Sequence, residues 1–175
     1  MIETPRLILR AWREADRPAF AAINGDPRVG DWLGGAIDRA ASDAVMDRLQ
    51  AQIDADGFGF WAAERREDGR LVGMIGLRRQ DAAPPGPCLE LGWRLSPDAQ
   101  GAGLATEGAK AALDWGFSNH DAPEILAWTA QTNVRSQAVM RRIGMLPDMT
   151  RDFDHPTLAA DHPLRRHVVF AVRRP

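Results

Sequence analysis

Several features that mark common functional classes are missing from this 175-residue chain. It has one cysteine, Cys88, which rules out an internal disulfide and is typical of a reducing compartment. Its four histidines show no spacing typical of metal ligands, so we expect no metal. No apolar run approaches the ~18 residues of a membrane span. Residues Met1 to Pro5 lack the basic and apolar regions of a signal peptide.

Strong charge of one sign is also absent. The formal net charge is -2, so no basic field favours nucleic acid as a partner. The hydrophobic fraction of 45% is enough for one compact core. We therefore expect a single domain over residues 1–175, cytoplasmic, with neither nucleic acid nor membrane as a partner, and either monomeric or homodimeric.

The most informative stretch runs from Cys88 to Phe117. Its first part, Cys88 to Leu95, alternates apolar and polar residues, which predicts a half-buried strand. A glycine-containing loop follows, and from Leu104 onward apolar residues recur at spacings of three and four, which predicts an amphipathic helix.

A glycine loop that opens a helix leaves the N–H groups of the first turn unpaired, at the positive end of the helix dipole. The segment from Gly101 to Thr106 is therefore a candidate phosphate site. No Walker lysine follows the last glycine, and Thr106 breaks the dinucleotide fingerprint at its final position. Spacing alone leaves both phosphate binding and an ordinary helix start open.

The rest of the chain alternates strands with helices, which favours a mixed α/β fold with one central, mostly antiparallel sheet. The patterns predict further strands over 6–12, 58–64, 70–77, 124–130, at 153 and over 168–172, and further helices over 14–24, 38–55 and 133–143.

Two motifs carry a family resemblance. Gln100-Gly-Ala-Gly-Leu-Ala105 matches the Q/R-x-x-G-x-G/A pyrophosphate loop of the GNAT superfamily of acetyl-coenzyme A-dependent N-acetyltransferases. Within that superfamily, two further segments resemble the Rim-type ribosomal-protein acetyltransferases. They are Glu90-Leu-Gly-Trp-Arg-Leu and the segment from Asn133-Val-Arg-Ser136 to Ile-Gly-Met145. The resemblance extends from Thr4 to about Arg173.

The resemblance implies that the strands beginning at Cys88 and Glu124 are parallel neighbours that splay apart around the pantetheine arm of acetyl-coenzyme A. It also implies the residues that bind this co-substrate. They are Trp93, Arg94 and Leu95, which contribute through their backbone, the loop residues Gln100, Gly101, Ala102, Gly103, Leu104, Ala105 and Thr106, and then Asn133 and Ser136.

The chemistry of acetyl transfer suggests two catalytic residues. The amine must lose a proton and the departing thiolate must gain one. We assign the first role to Glu90, on the polar face of its strand, and the second to Ser136 near the coenzyme sulfur. Many GNAT enzymes use a tyrosine as the acid, but this chain has none, so either Ser136 or water serves. Cys88 is interpreted as structural.

The acceptor is less well defined by the sequence. Trp32 and Trp61 are candidates for walls of its site, although most tryptophans lie in cores. A protein N-terminus and a small-molecule amine both remain open. Three other functions also remain open at this point, namely a coenzyme A-binding sensor that turns nothing over, a nucleotide-binding protein and an interaction module.

Overall fold

The structure, a computed structural model, describes residues 1–175. Its nine strands are β1 (Ile2–Glu3), β2 (Leu7–Arg10), β3 (Phe60–Arg65), β4 (Leu71–Gln80), β5 (Cys88–Leu95), β6 (Glu124–Ala130), β7 (Leu146–Pro147), β8 (Phe153–Asp154) and β9 (Arg166–Arg173). Its five α-helices are α1 (Arg17–Asn24), α2 (Pro27–Gly30), α3 (Arg39–Asp56), α4 (Leu104–Asn119) and α5 (Val134–Arg142). None of these helices is long and apolar enough to cross a bilayer.

The strands form a single sheet in the order β1-β2-β3-β4-β5-β6-β9-β7, and β8 pairs with β9. Every pairing is antiparallel except that of β5 with β6, which is parallel. The structure therefore confirms the predicted α/β class, with a mostly antiparallel central sheet flanked by helices.

Helices cover both faces of the sheet. On one face α4 and α5 pack over β2, β4, β5 and β6, and the core there includes Leu7, Ile75, Leu77, Ile125 and Met140. On the other face α1 and α3 cover a smaller cluster made of Trp12, Phe20, Met46, Leu49, Phe60, Ala62 and Met74. Because side chains alternate along a strand, the neighbours Phe60 and Trp61 pack into the cores on opposite faces of the sheet.

Most of the predicted elements form, and their limits follow from local chemistry. The strand at Cys88 and the strand at Glu124 have the predicted bounds. The Asp38 side chain caps α3 by accepting from Ala41 N–H, and Gly57 ends the helix with φ 77°.

The structure adds to the secondary-structure predictions at three points. The helix expected from Glu14 begins as a 3₁₀ turn over Glu14–Asp16, and α1 itself starts at Arg17 with a proline in its first turn. The strand expected near Phe153 is only two residues long. The two-residue strands β1 and β7 were not predicted, because so short a segment carries no readable alternation.

Candidate functional site

The parallel strands β5 and β6 are joined at a single register position, Glu90 opposite Leu126. By contrast, β5 pairs with β4 along its whole length, from Cys88 to Leu95. Beyond Glu90 the two parallel strands therefore diverge towards their C-terminal ends. The slot between the diverging strands lies at the end of β5 that leads into the glycine loop.

The glycine loop presents unpaired backbone donors beside this slot. The N–H groups of Gly101 to Thr106 have no hydrogen-bond acceptor within the chain. Gly101 and Gly103 have φ of 81° and 80°, in the left-handed region that favours glycine, and Gly103 is the N-cap residue directly before α4. This arrangement at the positive end of a 16-residue helix fits a phosphate.

Arg6 lies against the same loop, a contact that the sequence analysis does not predict. Its Nη1 donates to the carbonyl of Ala102 at 2.8 Å, and its Nε donates to Glu107 at 2.6 Å. Thr4 Oγ1 also donates to Glu107, at 2.6 Å. Burial opposes ionisation of Glu107, but the hydrogen bonds from Thr4 and Arg6 outweigh it and hold the pKa of that carboxyl below its usual value.

Asn133 and Ser136 lie at the start of α5, on the other side of the slot. The Asn133 side chain accepts from the Ser136 N–H at 3.1 Å, so Asn133 caps the helix as the sequence suggests. Ser136 precedes the buried residues Val139 and Met140 by three and four positions and so shares their inward face. Its hydroxyl makes no hydrogen bond within the chain.

Glu90 occupies the opposite face of the sheet. Leu89, Leu91 and Leu95 of β5 belong to the core under α4, which leaves Glu90, Gly92 and Arg94 on the α1 face. Glu90 is 9% exposed, and its Oε2 accepts from Arg78 at 2.6 Å and from Gln80 at 2.5 Å. Its Oε1 accepts no hydrogen bond from the chain. The carboxylate is therefore fixed in orientation with one oxygen free.

Two further predicted residues have different surroundings from those expected. The Gln100 side chain donates to the carbonyl of Leu95 at 3.0 Å, so it closes the turn between β5 and the loop. Trp61 is 3% exposed and packs edge-on against Trp115. It therefore lies in the core under α4 and cannot wall an acceptor site, which corrects the sequence prediction. Trp32 is 39% exposed, after α2, and stays a candidate.

An aromatic row that the sequence did not reveal borders the slot on the β6 side. Trp128, Phe153, His167 and His155 follow one another with ring centroids 5.1–6.2 Å apart. Trp128 shares the Leu126 face of β6, the same face as Glu90. Burial lowers the pKa of His167, the backbone hydrogen bond with Arg165 opposes this in part, and the nearby His155 lowers it further.

The fold places the glycine loop after β5, Asn133 and Ser136 at the start of α5 after β6, and Glu90 where β5 and β6 pair. Sequence reasoning missed Arg6, Arg78 and the aromatic row. Arg78 and Glu90 are direct partners in the register of β4 against β5, and that register is set by how the strands associate. Nothing local could have indicated Arg6, since its partner Glu107 lies 101 residues away.

Comparisons with known proteins agree with this geometry. Residues 6–146 match the model of the acetyltransferase (GNAT) domain. An uncharacterised N-acetyltransferase of Bacillus subtilis, YnaD, is 39% identical over 145 residues, which cover 82% of this chain and 81% of YnaD.

Solved structures give the same result. An acetyltransferase from Agrobacterium tumefaciens superposes with a TM-score of 0.78 at 29% identity, over 99% of this chain and 94% of its own. RimL, the ribosomal L7/L12 α-N-protein acetyltransferase in complex with coenzyme A, has a TM-score of 0.74 at 16% identity, over 97% of this chain and 95% of its own, which shows a shared fold. The chain therefore belongs to the GNAT family of acetyltransferases.

Proposed function

We propose that this protein transfers the acetyl group of acetyl-coenzyme A to a primary amine, and that the amine attacks the thioester directly. The observation that carries the proposal is the divergence of β5 from β6 immediately before a loop of unpaired N–H groups. A slot that ends at a phosphate site suits a long thioester whose other end bears phosphates.

The residues of the chain fit acetyl-coenzyme A at its pyrophosphate and at its thioester. The N–H groups from Gly101 to Thr106 would bind the pyrophosphate, with Gln100 shaping the turn that precedes them. The backbone from Trp93 to Leu95, freed from β6 by the splay, would bind the pantetheine arm and the thioester carbonyl. Asn133 and Ser136 would lie along the other side of the same arm.

The positions of Glu90 and Ser136 on opposite sides of the slot suit the two proton transfers. As the amine nitrogen bonds to the acetyl carbon and the carbon–sulfur bond breaks, the amine proton passes to Glu90 Oε1, directly or through water. The departing thiolate takes its proton from Ser136 or water. Because Arg78 and Gln80 hold Oε2, the free Oε1 is the oxygen able to accept that proton.

Ligand identity is tested first. Acetyl-coenzyme A at 100 times its Kd should stabilise the protein by about 2.7 kcal/mol, seen as a rise in Tm. ATP and NAD should not, and a larger rise with ATP would favour a nucleotide-binding protein. Free-thiol release with a panel of amines then tests transfer. Binding without release for any amine would indicate a coenzyme A sensor.

The role of Glu90 is tested by Glu90→Gln, which keeps the shape of the side chain and removes its basicity. We expect the rate to fall on the order of 10²–10⁴-fold at pH 7. The loss should shrink as the pH rises, because more of the amine then arrives deprotonated. Exposed Glu67→Gln, in the β3–β4 turn, is the matched control. A pH–rate profile unchanged by Glu90→Gln would remove Glu90 from the mechanism.

A further inference from the structure

The charged side chain of Arg94 is shielded from solvent and has no carboxylate partner. Its Nη1 donates to Asn24 Oδ1 at 2.6 Å, and Asn24 in turn donates to Ser42 Oγ at 2.8 Å. Its Nε is buried and has no hydrogen-bond partner at all. No carboxylate lies within ion-pair distance, so one neutral amide is the whole of its polar contact.

No other arginine combines shielding with the lack of an acidic partner. The remaining arginines without an ion pair are all exposed, namely Arg48, Arg70, Arg79, Arg135, Arg141, Arg142 and Arg173. Arg10 is the instructive contrast, because it is 6% exposed but pairs with both Asp16 and Glu64 at 2.7 Å. The fold compensates one shielded guanidinium with two carboxylates and leaves the other with none.

Desolvating an unpaired charge is unfavourable, so such a group usually meets an opposite charge when a ligand binds. Burial lowers the pKa of Arg94 to about 10, which still leaves the side chain cationic at pH 7. A guanidinium has five N–H donors in a planar fork that matches a carboxylate. Only one of these donors is used within the chain.

The position of Arg94 indicates which ligand would supply the anion. Arg94 shares the α1 face of β5 with Glu90 and Gly92, on the side opposite to α4 and its phosphate loop. It lies in the diverging half of the strand, beyond the last contact with β6 at Glu90. Arg94 and Gly92 are two residues, or about 7 Å, apart. Arg94 therefore lies on the face of β5 that carries the proposed base, Glu90, which is the side from which the acceptor would approach.

We propose that the Arg94 guanidinium binds a carboxylate of the acceptor, and that the acceptor is therefore a small amine that also carries a carboxylate, as an amino acid does. This inference rests on the proposed acetyl transfer and specifies its substrate class. The backbone of Arg94 remains available to the co-substrate, while its side chain serves the acceptor on the other face.

The test compares matched amines with the full-length protein. Thiol release from acetyl-coenzyme A is measured with β-alanine, γ-aminobutyrate and phenylalanine, and with the carboxamide of each. The wild type should favour the carboxylates at least tenfold in kcat/KM. Arg94→Met should abolish the preference, mainly through KM, and Arg94→Lys should keep part of it. Exposed Arg48→Met should leave the preference intact.

Four results would overturn the inference. One is equal use of acids and carboxamides by the wild type, and another is an Arg94→Met variant that still prefers acids. The third is a tenfold or greater loss of coenzyme A affinity in Arg94→Met, which would assign the anion to the phosphates of the cofactor. Preference for peptide N-termini, unaffected by Arg94→Met, would likewise exclude a small acidic acceptor.

A binding measurement separates this inference from the proposed transfer. Calorimetry of β-alanine, γ-aminobutyrate and phenylalanine against the coenzyme A complex needs no turnover. Binding to the wild type and not to Arg94→Met would support the carboxylate site even if no thiol were released. Equal binding, or none of the three acids binding to the wild type, would refute it. Arg94→Met removes a shielded unpaired charge but also the donor to the buried Asn24 Oδ1, so the two effects on its Tm oppose each other. Arg94→Gln, which keeps an N–H donor, is the second variant should Arg94→Met misfold.

Discussion

At the scale of single residues, the strand that carries Glu90 also carries the only cysteine, and the two differ in what they can do. Cys88 begins β5 and is partly buried. Burial raises the pKa of its thiol to about 11, and the Glu90 carboxylate adds to the effect. The reactive thiolate is therefore scarce at neutral pH. This environment supports the proposed direct attack by the amine.

Cys88→Ala should accordingly leave acetyl transfer within about threefold of the wild-type rate. Alkylation of Cys88 by iodoacetamide at pH 8 should be about two orders of magnitude slower than that of an unperturbed thiol, because the thiolate fraction is lower. The measurements are steady-state thiol release and mass-spectrometric labelling. Loss of transfer in Cys88→Ala together with rapid labelling would contradict direct attack and indicate an acyl-cysteine route.

At the scale of elements, the junction of the glycine loop with α4 depends on backbone conformation more than on side chains. Gly103 has φ 80°, and a Cβ added there would approach only the Arg6 guanidinium, at 3.5 Å. Space is therefore available, and the conformation is what requires glycine. Such strain costs about 1–2 kcal/mol for other residues.

Gly103→Val should weaken coenzyme A binding tenfold or more, because the strained loop no longer presents its N–H groups as a set. Gly57→Val is the matched control, since Gly57 caps α3 at φ 77° in equally open space. Both variants should lose similar stability in urea unfolding, and only Gly103→Val should lose affinity in calorimetry. Wild-type affinity in Gly103→Val would indicate that the phosphates bind elsewhere.

At the scale of the whole molecule, Glu107 connects the first residues of the chain to the helix that begins the phosphate site. It accepts hydrogen bonds from Thr4 and from both the backbone and the side chain of Arg6. Arg6 also donates to Ala102, so the start of the sheet, the loop and α4 are joined at one point. The contact orders the loop through parts of the chain remote in sequence.

Glu107→Gln should destabilise the protein by about 1–2 kcal/mol at pH 7 because charged hydrogen bonds are lost. The pKa of Glu107 is depressed by folding, so its contribution is present above the ordinary value of 4.5 and is lost as pH falls through the folded value. The Tm gap between wild type and variant should be constant from pH 8 to 5 and close below pH 4.5.

The control for this prediction is Glu14→Gln, which breaks an ion pair with Arg17. The Glu14 side chain is 82% exposed. The substitution should change the Tm little at any pH. A gap for Glu107→Gln that persists at pH 3 would show that packing, and not the charge, is responsible.

The sequence by itself determined the local elements and the parts of the site that depend on them. Alternation along Cys88 to Leu95 predicted β5 with its correct bounds, and two glycines before an apolar periodicity predicted the loop and α4. These features are predictable because each is set by the backbone preferences and hydrogen bonds of residues within one or two turns of each other.

Only the tertiary structure decided which distant groups meet. The sequence could not show that Trp61 faces the core, that Arg78 and Gln80 hold Glu90, or that Arg94 has no acidic partner. A one-residue change of register would exchange every inward and outward side chain of a strand. Burial and charge pairing therefore depend on how the strands associate, and strand association is fixed by packing across the whole sheet.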